Sequence, residues 1–389
     1  MKEDRVGKTR VLVFIDWYLP GYKAGGPIRS LANLIESLKE DLKFSLVTRD
    51  TDYLESSPYP DLESNKWIEQ GDESFHYLSS GDLNYSTVKN LLLRGDYEVV
   101  YLNSMFSYFF SFLPLWILNG SATDIVLAPR GMLAKGALSI KPLKKRVYLY
   151  VCKLFGLVAN IRFQATSEQE VHDIKAVFGS ESQIMLAPNI PAAVPETNNH
   201  LDTKAVGSVK LISVARIAPE KNLLYALNVL SKVKGKVHFD IYGVVYSEEY
   251  WNSCKEVIDT IPENITVVVH DGVPQTELFE LLQESHYLLM PSRSENFGHI
   301  IWESLACGCP VIISDQTPWL NLEEKNIGFD ISLKSEAKFV ATIESCIDMG
   351  REEYTLKSDS AYNFAKTYAA NSKSIQLSRE LFTQIRGNS

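Results

Sequence analysis

The chain is 389 residues long, 45% apolar and 22% charged, with a formal net charge of −9 at pH 7. At roughly 100–200 residues per domain, that length implies two or three domains rather than one. The composition is that of a globular protein and excludes collagenous or low-complexity architectures, while the negative charge argues against a general nucleic-acid binder.

Taken in chain order, the N-terminal MKEDRVGKTR runs into the short apolar stretch Val11–Ile15, which predicts a buried strand. That stretch is too short for a secretory signal and lacks a small-residue cleavage site. Gly21, Gly25 and Gly26 lie in the GYKAGGP segment that follows, ahead of a helix predicted by the spacing of Ile28, Leu31, Leu34, Ile35 and Leu38. Adjacent glycines at a helix start let a backbone approach a ligand, although the segment is not a GxGxxG fingerprint and equally fits a turn with no ligand. Further strands are expected at Phe44–Val47, Val99–Leu102, Ile125–Leu127 and Ile161–Ala165, with helical material between most of them. The longest apolar stretch, Tyr101–Leu118, is interrupted by Asn103, three serines and Pro114, so it makes a poor membrane-spanning helix. The expected protein is soluble, or at most attached to a membrane surface.

Prolines, asparagines and threonines cluster at 188–207 and read as a linker. The strand-helix alternation then restarts with Val209–Val214, a helix over Asn222–Val233, and strands at Phe239–Tyr242, Ile265–Val269, Tyr287–Met290 and Val311–Ile313. Strands bounded by helices argue for right-handed βαβ units and parallel sheets. The expected organisation is a first Rossmann-like domain over 1–190, a linker over 191–207, a second such domain over 208–365, and a helical tail over 366–389. The last helix, Ser374–Ile385, could cross back to the first domain, a placement the sequence leaves open. Two doubly wound domains facing across a cleft put the ligand beyond the strand carboxyl ends. Five cysteines, an odd number without zinc-finger spacing, read as reduced thiols, and Cys307 and Cys309 inside an apolar run read as core.

Two features carry most of the chemistry. In ENFGHIIWE (295–303), Glu295 follows a polar loop at a strand end, and Glu303 lies about one turn inside a helix that starts near Gly298. Unpaired amides at such a helix start attract anions, so a phosphate fits there, with Glu295 beside its substituent and Glu303 beside a hydroxyl-rich group such as a ribose. Taken alone, the pair also fits a solvated loop carboxylate and a helix-surface glutamate. In SVARIAPEKN (213–222), Arg216 and Lys221 occupy a strand-to-helix turn, where two cations suit a diphosphate or a merely charged surface. Asp16, just past the first strand, fits either an acceptor-side role or a helix N-cap. Lys135, Lys141, Lys144, Lys145 and Arg146 crowd one segment near Tyr148, Tyr150 and Phe155, with the aromatic stretch Tyr108–Trp116 upstream. That mixture suits an anionic membrane surface, or a charged helix over a buried aromatic core.

The order of Gly25-Gly26, ATSEQE (165–170), SVARIAPEKN and the two spaced glutamates continuing into SLACGCPVI (304–312) resembles retaining glycosyltransferase family four, with the GT-B fold. The resemblance runs from about residue 10 to 365 and is most specific between Ser213 and Ser314. APRGMLAKGALSIKPLKK (128–145) is similar to a subgroup found in bacterial surface-polysaccharide assembly. The resemblance implies sugar transfer from a nucleotide-diphosphate sugar to a saccharide or polyprenyl-linked acceptor, with retention at the anomeric carbon and no nucleic-acid partner. It implies that Arg216 and Lys221 hold the donor diphosphate and that Glu295 contacts the donor sugar. Glu303 would bind the ribose, amides around Phe297, Gly298 and His299 the distal phosphate, and Asp271 and Gly272, within 270–274, the base. Gly25 and Gly26 would lie under the phosphates and sugar. No metal ion or cofactor is implied, since the cations and the helix terminus take that part. Many relatives carry a histidine near Asn103; here the stretch YLNSM (101–105) has none, so Asn103 and Arg130 become the acceptor-side candidates with Asp16. The expected location is cytoplasmic, either free or peripheral on the inner membrane face. The competing readings are a nucleotide-sugar epimerase on the same fold and a non-enzymatic solute-binding protein; a nicotinamide oxidoreductase is disfavoured by the missing glycine fingerprint.

Overall fold

A computed structural model describes residues 7–139, 141–199 and 204–384. It separates into two compact units: one holds the residues up to Ile190 together with those from Lys373 onward, and the other comprises Pro191–Ser372.

The first unit contains β1 (Thr9–Phe14), α1 (Gly26–Leu38), β2 (Leu42–Arg49), β3 (Trp67–Gln70), β4 (Glu73–Leu78), α2 (Tyr85–Arg94) and β5 (Val99–Asn103). It continues through α3 (Leu113–Ile117), β6 (Asp124–Ala128), α4 (Lys135–Ser139), α5 (Pro142–Leu154), β7 (Arg162–Ala165), α6 (Glu168–Phe178) and β8 (Gln183–Leu186). The sheet order is β3-β4-β2-β1-β5-β6-β7-β8, parallel throughout except for the antiparallel edge pair β3–β4. β1 is buried on both faces because its side chains alternate: Val11 and Val13 join Leu31 and Leu34 of α1 on one side, and Leu12 and Phe14 meet Val88 and Phe110 on the other.

The second unit contains β9 (Ser208–Val214), α7 (Leu223–Leu230), β10 (Lys236–Tyr242), α8 (Glu248–Ile258), β11 (Ile265–His270), α9 (Gln275–Gln283) and β12 (Tyr287–Met290). Then follow α10 (His299–Ala306), β13 (Val311–Ser314), β14 (Gly328–Ile331), α11 (Glu336–Asp348) and α12 (Arg351–Asn371). Its sheet runs β11-β10-β9-β12-β13-β14, all parallel. In each sheet the winding reverses once, between β1 and β5 in the first and between β9 and β12 in the second. A crevice beyond the strand ends opens at such a reversal.

The final helix, α13 (Ser374–Thr383), returns to the first unit. Its Phe382 ring meets Phe44 and Tyr101 edge-on, and Arg162 donates to the carbonyl of Leu381 at 2.7 Å. The helix expected over Ser374–Ile385 is thus described as far as Thr383, and Ile385 lies outside the described residues. The tail expected from 366 starts later, because α12 runs unbroken to Asn371 with Ala365 buried.

The expected linker 191–207, of which 200–203 lie outside the described residues, is bonded to the second unit at several points. The carbonyl of Ala192 accepts from the buried Trp302 indole at 2.9 Å, and those of Pro195 and Glu196 accept from the Tyr362 hydroxyl. Lys204, only 3% exposed, donates to the carbonyls of Ile347 and Met349. A proline-rich extended segment has free carbonyls, and buried donors of the second unit take them up. All five cysteines are buried thiols, and burial raises Cys309 to about 12.

Candidate functional site

In the second unit, the loops after β9 and β12 meet at the reversal point. Lys221 Nζ donates to Glu295 Oε1 at 2.6 Å, with the two side chains 20% and 10% exposed. Asn222, in the left-handed conformation at the start of α7, donates to the carbonyl of Pro291 at 3.0 Å and accepts from Arg293 at 3.2 Å. The Arg293 amide donates back to the carbonyl of Glu220 at 2.9 Å. Three neutral or charge-assisted bonds therefore set the register between the loops, and the ion pair sits on a framework already built.

Arg216 lies in the same β9 loop, held by Glu220 at 3.2 Å and stacked 4.9 Å from the centroid of Tyr246. Its side chain is one-third exposed, so its remaining guanidinium edge can meet an anion.

Gly298 starts α10 with φ of 75°, a backbone region that disfavours any side chain, and a Cβ there would come 2.9 Å from Ile301 Cδ1. The loop carrying Glu295 is fastened by the Trp319 indole, which donates to the carbonyl of Phe297 at 2.6 Å. His299, at the first turn of α10, packs its ring 4.8 Å from that of Phe297. Glu303 is only 2% exposed and accepts from Gln275 of α9 at 3.3 Å. Asp271 and Gly272 follow β11, where the His270 ring stacks on Tyr242 at 4.2 Å and bonds Asp240 at 2.8 Å. Hence Arg216, Lys221, Glu295, Phe297, Gly298, His299, Glu303, Asp271 and Gly272 all lie at strand carboxyl ends or in the helices that follow, within one unit. Of these, Lys221 and Glu295 touch directly.

The remaining candidates belong to the first unit and cluster around its own reversal point. Gly25 caps α1 with φ of 75° and open space where a Cβ would stand. The loop ahead of it is tied by Asp52, whose carboxylate accepts from the amides of Tyr22 and Lys23 at 3.0 and 3.3 Å. Asp16 caps no helix: its carboxylate accepts from Ser107 at 3.0 Å and lies 3.5 Å from Arg49. Burial pushes its pKa above the ordinary carboxylate value, against the pull of Ser107 and Arg49.

Asn103 ends β5 and accepts from Arg130 Nε at 2.9 Å, so those two candidates are in contact. Arg130 also donates to the Tyr101 hydroxyl at 2.7 Å and to Asn189. Tyr101 in turn donates to Gln164 at 2.6 Å. Glu170 fixes the turn by accepting from the amides of Gly131 and Thr166 at 2.6 and 2.8 Å.

Sequence reasoning missed Asp52, Tyr101, Asn189 and Gln275, since each acts through a partner distant in the chain. Among the described residues, no group of three or more His, Cys, Asp or Glu side chains is placed to hold a metal ion.

Residues 199–361 match the family described as glycosyl transferases group 1. The second unit belongs to the group 1 glycosyl transferases. The group 1 domain thus contains every candidate of the second unit, and the first unit lies outside the match.

Among curated proteins, the chain is 26% identical over 170 residues to uncharacterized glycosyltransferase 335 of Sulfolobus islandicus rod-shaped virus 1, covering 42% of this chain and 49% of that protein. It is 24% identical over 250 residues to an uncharacterized 41.2 kDa protein in the cps region of Klebsiella pneumoniae, covering 61% of this chain and 66% of that one. The chain therefore spans about half to two thirds of the length of these relatives.

Among solved structures, Alr3699/HepE of Anabaena, in complex with UDP and glucose, superposes with a TM-score of 0.71 at 13% identity, covering 97% of this chain and 98% of that one. Sucrose-phosphate synthase of Thermosynechococcus elongatus gives 0.68 at 15% identity over 97% and 100%. At these identities the likeness is one of fold: two parallel-sheet α/β domains of the GT-B kind, the second of them carrying the group 1 match.

Proposed function

We propose that the protein is a retaining glycosyltransferase that moves a sugar from a nucleotide-diphosphate donor to a saccharide or polyprenyl-linked acceptor in polysaccharide biosynthesis. The observation that carries this reading is the Lys221–Glu295 pair at the β9/β12 reversal, beside the amino end of α10. A diphosphate arriving there meets Arg216, Lys221 and the first amides of α10, which neutralise the charge that grows on the leaving nucleotide. Glu295, bonded to Lys221 without donor, then holds donor-sugar hydroxyls, and Glu303 the ribose.

In the step itself, the bond between the anomeric carbon and the diphosphate oxygen breaks while an acceptor hydroxyl attacks from the same face. The acceptor proton passes to the departing phosphate oxygen, so no covalent sugar–enzyme bond is needed. Asp16, Asn103 and Arg130 are assigned to the acceptor side. Turnover is expected to survive a chelator. The location that suits a polyprenyl-linked acceptor is the cytoplasmic face of the inner membrane. Among the described residues no helix is long and apolar enough to cross a membrane.

The test is a thermal-shift screen of nucleoside diphosphates and nucleotide sugars, since a ligand that binds the native state alone raises apparent stability. A shift with one nucleotide family that is lost in Lys221→Ala supports the site. A folded protein that none of them stabilises overturns it. Turnover of the donor without any acceptor would instead favour epimerisation.

A further inference from the structure

We infer that the outward face of α5, with the aromatic strip beside it, is a docking surface for a bilayer containing anionic phospholipid. Leu143, Val147, Tyr150 and Leu154 are spaced four, three and four residues apart, so they share one side of the helix. All four are exposed, at 75%, 56%, 66% and 62%. The opposite side holds the buried Cys152 and the inward-turned Tyr148, whose ring contacts Phe106 and Phe112. The helix thus has a second apolar face, and that face covers nothing within the unit. A soluble helix normally turns charge outward there.

The apolar ridge continues past the helix end. The Phe155 ring lies 5.1 Å from Trp116, which stacks on Phe112, which stacks on Tyr108. Phe155, Trp116 and Tyr108 are themselves exposed. Aromatic rings of this kind, apolar in body and polar at the tip in Tyr and Trp, suit the headgroup boundary.

Charge decides the occupant. Between Asp124 and Glu168 the chain carries eight lysines and arginines and no acidic residue, in a protein whose net charge is −9. Exposed Lys144 flanks the ridge on one side, and exposed Arg146 and Lys153 flank it on the other. Lys145 is excluded: it turns inward to the carbonyl of Ala137 at 2.6 Å and over the Phe106 ring, and burial lowers its pKa. A second copy docked on this face would set cations against cations. A nucleic acid would leave Leu143, Val147 and Leu154 against phosphates. An anionic bilayer satisfies both parts, phosphates meeting the cations and acyl chains meeting the ridge. The assignment deepens the lipid-linked acceptor reading above and depends on it only for what the surface would deliver.

The experiment is flotation of the full chain with phosphatidylcholine vesicles, with and without phosphatidylglycerol. Two triple variants accompany it: Leu143→Ser/Val147→Ser/Leu154→Ser and Lys144→Glu/Arg146→Glu/Lys153→Glu. All six side chains are exposed, so both variants should keep the wild-type unfolding midpoint and nucleotide response. Each cation near an anionic surface is worth roughly fivefold in partition, so the charge variant should lose binding by more than tenfold. The apolar variant should lose at least as much, and the wild type should bind the mixed vesicles far more than phosphatidylcholine alone. Wild-type protein that stays unbound with phosphatidylglycerol overturns the proposal, as do variants that bind like wild type. So does a dimer seen by sedimentation that the apolar variant abolishes without any vesicle binding. A wild type that floats yet shows no nucleotide response leaves the docking surface standing and removes the transferase reading instead.

Discussion

The two sheets reverse their winding at equivalent places, and the chain furnishes the two openings differently. In the second unit a lysine and a glutamate pair at 2.6 Å while still partly open to water. In the first, the Arg130 guanidinium is ringed by the neutral oxygens of Asn103, Tyr101 and Asn189, and Asp16, its side chain 15% exposed, has only a 3.5 Å approach from Arg49. An ion pair that water still reaches can trade its partner for a ligand, whereas a guanidinium bonded through Nε and both terminal nitrogens is held in place. The comparison separates an opening built to exchange charges from one built to hold a shape.

The sharpest way to break this contrast is at Lys221. Lys221→Ala should lower kcat by about 10²–10³, in the range of losing one charge-stabilising donor, and should weaken the nucleotide-induced thermal shift as well. Normal kinetics in that variant would remove the second opening from the chemistry. Arg130→Met tests the first opening, where three acceptors lose their donor; unfolding of the first unit should cost about 2 kcal/mol less in a denaturant titration. A variant as stable as wild type would mean the ring of oxygens holds no shape.

A smaller effect is expected for Trp319→Phe, which deletes the bond to the Phe297 carbonyl while keeping the ring. Stability should fall by about 1 kcal/mol, with a modest loss of turnover as the Glu295 loop loosens. The smallest effect is the pH response of Asp16. Its folded pKa is raised, so between the ordinary carboxylate value and the raised one the folded state binds more protons than the unfolded state, and stability falls as pH rises. Denaturant midpoints of wild type and Asp16→Asn across that window should diverge, with wild type losing ground at higher pH. Parallel curves would show that burial does not govern this carboxylate.

The parts of the fold legible in sequence were those with strong local signals. The central strands β1, β5 and β12 carry continuous apolar runs, and α1 repeats its apolar residues at helical spacing. Strands β3, β4, β8 and β14, at or next to the sheet edges, were not anticipated. In β4, ESFHYL, serine and histidine are buried beside phenylalanine and tyrosine, which hides the apolar pattern. In β8, QIML is four residues long and only half-buried. Lys221 and Glu295 stood out because strand-to-helix turns mark where ligand-facing groups sit. Gln275 beside Glu303 and Asn189 beside Arg130 carried no such mark, since 28 and 59 residues of chain separate the partners and no local period records the meeting. The basic cluster was visible as composition, but only the turn of α5 separates Lys145, facing inward, from Lys144 and Arg146.

The return of α13 to the first unit has a consequence for synthesis. The second unit is one uninterrupted stretch of chain, so it can close as soon as that stretch has left the ribosome. The first unit emerges earlier yet waits longer, since Leu381 and Phe382 of its core follow the whole of the second unit in the chain. Until then Phe44 and Tyr101 lack the ring that covers them, so the unit made first is the later of the two to close.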